Sequence, residues 1–553
     1  AIAFAAEKTT VTLKQSIEIA KSSLGLNTEG YEFTSNYNEN QNGHNVWNLN
    51  WNNSKTNTES INVSIDADTG KIMTVSWWVP NEQSKSRIPK HTKAEALKAA
   101  QELAAKLQGE NFKQTRLMEA ANNDYYNKYA ETYNFEFIRV HDGVDVPVNN
   151  ISIQLDKNTL KLRYFNVVWD EGELPSKTKA FSLEKAKELL KSKLGLELTY
   201  NLVYNNQNNE PSVVLAYTMK NGNSPIDAIT GELLNNYIIR SYYSDEKSAN
   251  AASTGNVVIT PEEQSELEKN NEYISKSEAE QAIKQYITID NKMKLERANL
   301  YHGYNKENAT WNLEWRYSNS EDNSYRYINV QIDAVNKEIK SFNISDNSYG
   351  QDKDKATINK EQAKKLAEDF LKVIQPNKFD KTQYKEYKEP FGYAPVNNNY
   401  YSFNFIRVEN GVPCPSNSLN VGVNTITGEI VSFNTSWSNI NFPAPNKVIT
   451  LDKAYEVLFN KVEFEMQYIH HFINTNDSES KELKLAYVLE NMPVLIDANS
   501  SLMIGYDGKP ITPIQKLQYT DIKGNKAEDE IMLLIEMGII EPDSTEFMPD
   551  STM

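Results

Sequence analysis

The chain has 553 residues, too many for a single core, and its 58 basic against 75 acidic residues leave a net charge of −17. That balance, with no Lys/Arg cluster interleaved with aromatics, argues against nucleic acid as a partner, because phosphate binding needs clustered cations. The lone Cys414 rules out a disulfide framework or a cysteine-based zinc site, while 31 Tyr and 10% aromatic residues describe folded, strand-rich domains rather than a disordered chain.

In chain order, residues 1–8 (AIAFAAEK) read as the tail of an export signal ending in Ala-x-Ala, so the protein is expected outside the cell. No run approaches the ~18 apolar residues of a membrane-spanning helix. A first unit, 9–88, opens with the helix start Thr12-Leu13-Lys14-Gln15. Trp47, Leu49 and Trp51 then alternate with Asn as a half-buried strand does, and Asp66 to Gly70 make a turn. A second unit, 89–177, opens at Thr92 and places Ala96, Leu97, Ala100, Leu103, Ala104 and Leu107 on one helical face. A third, 178–243, opens at Ser182 and carries the turn Ile226 to Gly231. Residues 244–272, rich in Ser, Asn, Glu and Lys, read as a linker.

The rest repeats the beginning. Phe135–Trp169 and Phe403–Trp437 align without a gap, pairing Arg139 with Arg407, Gly143 with Gly411 and Asn149 with Asn417, each 268 positions apart (403 − 135). Helix starts at Ser275, Asn359 and Thr450 answer those at Thr12, Thr92 and Ser182, giving units 273–350, 351–446 and 447–516. Four of the six starts carry Gln or Glu three residues on, as a capping box requires.

A helix followed by strands ending in Ile-Asp-Ala-x-Thr-Gly resembles the PepSY domain, and the FxFxRxxxGxxxP block at 135–147 and 403–415 is similar to the YcdB/YcdC repeat family of Firmicutes. The resemblance implies an α+β fold of six tandem PepSY-like, cystatin-like helix-on-antiparallel-sheet units in two triplets, with a suspected role in binding or restraining exported proteins or proteases. Residues 517–553 resemble the first two thirds of an S-layer homology domain, through Tyr519 to Gly524, a helix from Ala527 to Met537, and Phe547 to Asp550. They depart from it at Lys526, where that family has Trp. The chain stops where the wall-gripping motif would begin, so further such repeats, binding cell-wall polysaccharide, are expected to follow Met553.

Motifs that carry chemistry are few. No GxSxG, P-loop or GxGxxG sequence occurs. His470 and His471 fall on a helix expected over 454–472, where neighbours point about 100° apart and do not share a metal. The turn residues Asp66 and Asp68, or Asp352 and Asp354, could offer oxygens to calcium, but the six to eight ligands that ion takes are not in evidence. Arg139 and Arg407, set among Phe and Ile, either face a ligand carboxylate or brace a neighbouring unit. The binding candidates are therefore these two arginines with Trp77 and Trp78, and no cofactor is expected beyond possible calcium. The reading is a non-enzymatic, secreted Gram-positive surface protein whose modules bind an exported protein or protease. Self-assembly into a surface layer, and glycan binding through aromatics such as Trp77, Trp78 and Asn397–Tyr401, are the alternatives.

Overall fold

The computed structural model describes residues 10–41, 44–53, 59–79, 89–118, 131–204, 211–239, 273–301, 309–319, 324–346, 356–386, 400–475, 478–489, 495–511, 519–536, 540 and 545–550. The tail 1–8, the linker 244–272, Asp352, Asp354 and residues 397–399 lie outside them.

All six helix starts are real caps. Thr12, Thr92, Ser182, Ser275, Asn359 and Thr450 are extended, and each side-chain oxygen accepts the amide three residues on. At Thr12, Thr92, Ser275 and Asn359 the Gln or Glu at that position returns the bond, closing a capping box. The helices are α1 (Leu13–Leu24), α2 (Lys93–Lys113), α3 (Leu183–Leu189), α4 (Lys276–Ile283), α5 (Lys360–Ile374), the short α6 (Pro376–Phe379), α7 (Leu451–Lys461) and α8 (Glu528–Glu536). The turns also recur. Asp66, Asp156, Asp227, Asp333, Asn424 and Asp497 each accept the amides two and three residues ahead, so a local side-chain bond reverses the chain at six matched places.

In the first half, strands β1 (Glu32–Gln41), β2 (His44–Asn52), β3 (Ser60–Asp66) and β4 (Ile72–Trp78) form a meander, and β5 (Thr115–Leu117), β6 (Thr132–His141), β7 (Val144–Asp156) and β8 (Leu162–Val168) a second. These do not stay apart. Thr74, Val75 and Ser76 of β4 pair with Asn166, Phe165 and Tyr164 of β8, which makes one sheet of the two meanders. Trp47, Leu49, Ile61, Val63, Phe135, Ile151 and Phe165 then share a core with Ala20 of α1 and Ala96, Ala100 and Ala104 of α2. Small alanines on the helices let them lie close over the large strand residues.

Further strands of the first half are β9 (Leu196–Tyr204), β10 (Pro211–Met219), β11 (Ile226–Asp227) and β12 (Tyr237–Ile238). The second half repeats the plan with β13 (Lys294–Tyr301), β14 (Thr310–Asn319), β15 (Ser324–Asp333), β16 (Ile339–Asp346), β17 (Thr382–Lys385), β18 (Tyr400–Glu409), β19 (Val412–Asn424) and β20 (Ile430–Ser436). These eight strands form one sheet in the order β13-β14-β15-β16-β20-β19-β18-β17, joined where Phe342 meets Phe433. The β6–β7 and β18–β19 hairpins agree in detail. Each turns through a positive-φ pair, Asp142-Gly143 or Asn410-Gly411, and each has a register shift at the arginine, 138/139 or 406/407.

The third and sixth units interlock. With β21 (Phe464–Thr475), β22 (Ser478–Leu489), β23 (Leu495–Asp497) and β24 (Met503–Ile504), the chain exchanges strands between its halves. β10 pairs with β23 through Ala216–Asp497 and Tyr217–Ile496, and β22 pairs with β11 through Ala486–Asp227 and Tyr487–Ile226. Shifting either set by 270 positions yields the other. The tyrosines follow the same rule: Tyr200 donates to the Pro443 carbonyl and Tyr468 to Pro175 at 2.5 Å, while Tyr217 donates to Ile449 at 2.8 Å and Tyr487 to Phe181 at 2.7 Å. A single core takes Ala186, Leu190, Tyr200 and Leu215 from one half and Ala454, Leu458, Tyr468 and Leu485 from the other.

The expected α+β chain of six separate helix-on-sheet units is therefore corrected. Strand makes up 44% of the described residues against 23% helix. Among the described residues, strands merge into sheets of twelve, eight and four. The physical reason is that a short meander leaves two open edges, and neighbouring units of matched register close them on one another.

Candidate functional site

The two matched arginines sit where the hairpin bulge turns them inward. Arg139 Nη1 donates to Asn149 Oδ1 at 3.1 Å and to the Asp170 carbonyl at 3.0 Å, and its guanidinium lies 4.8 Å from the Trp169 ring centre. Arg407 Nη1 makes the same bonds to Asn417 (3.2 Å) and Ser438 (3.0 Å), over Trp437 at 4.6 Å and Phe442 at 4.3 Å. Strand, next strand and exit segment are clamped by one planar group, and each indole covers its face.

The copies differ in where the negative charge sits. Glu409, two residues along the same strand, binds Arg407 at 2.5 Å; burial would raise its carboxyl pKa, and Arg407 overrides this to hold it below the ordinary range. The first half has His141 there instead, and its acid is Asp170, where the second half has Ser438. Asp170 Oδ2 accepts from Asn149 Nδ2 and meets His470 Nε2, each at 2.6 Å, and Oδ1 accepts from Lys481 Nζ at 2.9 Å. Burial alone would raise this carboxyl, yet the bonds from His470, Lys481 and Asn149 hold it far below the usual range. Burial pulls the Arg139 guanidinium below its ordinary value, with Glu171 and Asp170 opposing. Asp170 thus pins the first half's sheet to β21 and β22 of the second half.

Sequence reasoning singled out Arg139 and Arg407, set His470 aside as a metal ligand without giving it this partner, and passed over Asp170 and Lys481. The available signal was a mismatch. Asp170 corresponds in sequence to Ser438, one residue past a block whose arginine, asparagine and tryptophan are kept. The histidine pair was also misplaced: α7 ends at Lys461, and His470 and His471 lie on strand β21, one turned to Asp170 and the other to Glu482 at 3.2 Å. Phe464, Met466 and Tyr468 continue the apolar count of the helix but alternate as a strand does, so a short stretch satisfied both patterns.

The tryptophan candidates separate. Trp77 is half-buried and donates to Glu59 at 2.5 Å, whereas Trp78 is 54% exposed at the end of β4. Trp47 is buried and bonded to the Val11 carbonyl at 3.0 Å. Asp66 uses Oδ1 for the amides and hydroxyl of its own turn and Oδ2 for His44 at 2.8 Å. Among the described residues no group of three or more His, Cys, Asp or Glu side chains converges, and no helix is long and apolar enough to cross a membrane.

Two homologous halves, each a helix-backed sheet with an inward-turned arginine clamp, define a duplicated repeat protein. The sequence matches the YcdB, YcdC repeated domain over residues 14–169 and again over 276–437, more than half its length, and the chain belongs to that family. Among solved structures it is similar to the Bacillus megaterium YpeB C-terminal domain, at 18% identity, covering 40% of this chain and 94% of that one, with a TM-score of 0.25. A B. subtilis levansucrase mutant aligns at 11% identity over 74% of this chain and 88% of that one, with a TM-score of 0.09. No protein of curated function matches the sequence.

Proposed function

We propose that this chain is a non-catalytic, secreted surface protein that holds extended segments of exported proteins, proteases among them, on its outer strands. The observation that carries the reading is the position of β1 and β13. They stand at the outer ends of the twelve- and eight-stranded sheets, in matched places, and most of their side chains are exposed or half-buried. A strand in that position offers backbone donors and acceptors to an added strand, with side-chain pockets at every second residue. Phe33 on β1 and Tyr301 on β13, 38% and 56% exposed, supply apolar contacts beside those edges.

Wall attachment through S-layer homology repeats is part of the same proposal. In its support, the C-terminal segment closes on itself: Asp521 accepts the amides of Phe547 (2.9 Å) and Met548 (2.6 Å), and Tyr519 packs on Phe547.

A displayed library of unstructured peptides tests strand addition. Peptides captured by the full chain should be lost when Ser35→Pro or Asn36→Pro interrupts β1, or Ala298→Pro or Asn299→Pro interrupts β13. Successive amides alternate sides, so one member of each pair removes an outward donor. Inhibition of a panel of secreted serine and metalloproteases should fall in the same variants. Unchanged capture in all four would sink strand addition as the mode of binding.

A further inference from the structure

Neighbouring residues on a strand face opposite ways, so the strands that bury Leu313, Val330, Phe342, Phe433 and Val421 beneath α4 and α5 must present another set away from the helices. One line across that set is wholly amide and hydroxyl, while Glu296, Arg297, Glu314 and Arg316 lie beside it on β13 and β14. Across six hydrogen-bonded strands of the second half, Asn299, Asn312, Gln331, Ser341, Asn434 and Asn420 are successive cross-strand partners. The first half repeats this with Asn36, Asn48, Ser64, Thr74, Asn166 and Ser152. Core packing asks nothing of these positions, and β-propensity disfavours Asn in strands; some members bond one another across strands, Ser341 to Gln331, Ser64 to Asn48 and Thr74 to Asn166, while Asn299, Gln331 and Asn434 stay exposed with polar groups to offer a ligand.

Alongside the β13–β16 part of the second-half row, a few residues further along those strands, the face sinks into a depression of about 390 Å³, within the range of small-ligand sites. Arg297, Arg316, Glu296, Glu314, Tyr325 and Tyr327 line it. Arg297 lies 3.9 Å from Glu314 and Arg316 3.7 Å from Glu296, so the two charges of each sign balance there, on a chain of net charge −17. Burial and the adjacent Glu314 raise the Tyr327 phenol pKa, which keeps it a neutral donor.

We infer that this helix-free face of the second half is a binding site for an extended, uncharged hexose polymer, seated with its rings in the depression and its hydroxyls on the Asn/Ser/Gln row. The charge pattern chooses the occupant. An anionic polymer would meet the overall negative field and two carboxylates, and a cationic one would meet both arginines, whereas a polyhydroxyl chain pairs with amides, hydroxyls and loosely bridged Arg/Glu groups, each able to donate or accept. Tyrosine rings add flat faces on which a sugar ring can lie. This surface is a face of the sheet, whereas peptide would add at its hydrogen-bonding edge; β13 contributes Glu296, Arg297 and Asn299 to the face, so the two readings are told apart by variants on β14 and β15, which leave that edge intact.

Isothermal titration of the full chain with cellohexaose and with the N-acetylglucosamine hexamer tests the inference, and purified cell-wall polysaccharide distinguishes a wall polymer from a soluble oligosaccharide. At least one hexamer should bind, and Tyr327→Ala and Arg316→Ala should each weaken it about tenfold through loss of a stacking face or a charged donor. Tyr325→Ala, at a residue 41% exposed, should also weaken binding while leaving the thermal midpoint in place, which separates loss of site from loss of fold. No binding of either hexamer by the wild-type chain, equal affinity in all three variants, or tighter binding of polyglutamate than of the hexamers would overturn it.

Discussion

Residues 10–239 expressed alone are expected not to yield a stable monomer, and residues 273–511 are expected to behave likewise, whereas the two halves mixed as separate chains should recover one folded complex. In the intact molecule β10 has β23 beside it and β22 has β11, so each isolated half loses a strand partner and keeps an unpaired edge. The joint core magnifies this. Tyr455, Leu458, Phe464, Tyr468, Leu485 and Tyr487 of the second half are buried in it, and burial of large apolar side chains is worth about 1.5–3 kcal/mol each. Their sum is on the order of 10 kcal/mol, comparable with the whole stability of an ordinary domain. Size-exclusion chromatography with light scattering and far-ultraviolet dichroism reads the result. Each half should appear unfolded, aggregated or dimeric by exchange with a second copy.

Asp170→Ala should be the most damaging single change outside the apolar cores. It leaves His470, 4% exposed, and Asn149, fully buried, without their acceptor, and frees Lys481. Breaking a buried ion pair by removing one partner costs about 3–5 kcal/mol; since Lys481 is 45% exposed and partly screened, about 2–3 kcal/mol is expected. The pH dependence has a definite sign. The folded carboxyl titrates below its unfolded value of about 3.9, so the unfolded state binds the proton first. Asp170 therefore contributes fully above about pH 5, and the contribution drains as pH falls below about 4 toward the folded value. The gap in thermal midpoint between wild type and Asp170→Asn should be widest near neutrality and narrow on acidification through that range.

Local structure was written plainly in the sequence. The cap residues Thr12, Thr92, Ser182, Ser275, Asn359 and Thr450, and the turn acids and amide at 66, 156, 227, 333, 424 and 497, act through bonds spanning two or three residues, which a linear pattern can display. The 268-residue offset likewise foretold that 135–169 and 403–437 adopt one conformation. Strand partnership was not legible. Ile226-Asp227-Ala228 and Ile496-Asp497-Ala498 carry the same residues, so pairing within a unit and pairing with the copy satisfy the same alternation and the same turn; only chain geometry in three dimensions selects between them. Asp170 escaped for a related reason. Its partners lie 300 and 311 positions away, where no periodicity connects them.

Reciprocal strand exchange is tested most directly by cross-linking across β12 and β21, where Tyr237 of the first half partners His471 of the second. Antiparallel partners hold their Cα atoms about 4.5–5.5 Å apart, within reach of a disulfide. In a Cys414→Ser background, Tyr237→Cys with His471→Cys should oxidise to an intramolecular disulfide in the monomer. Tyr237→Cys with Val203→Cys, the position 268 residues before His471, should not. A bond between 237 and 203 with none between 237 and 471 would mean that each half closes on itself, and the interlocked architecture would be wrong.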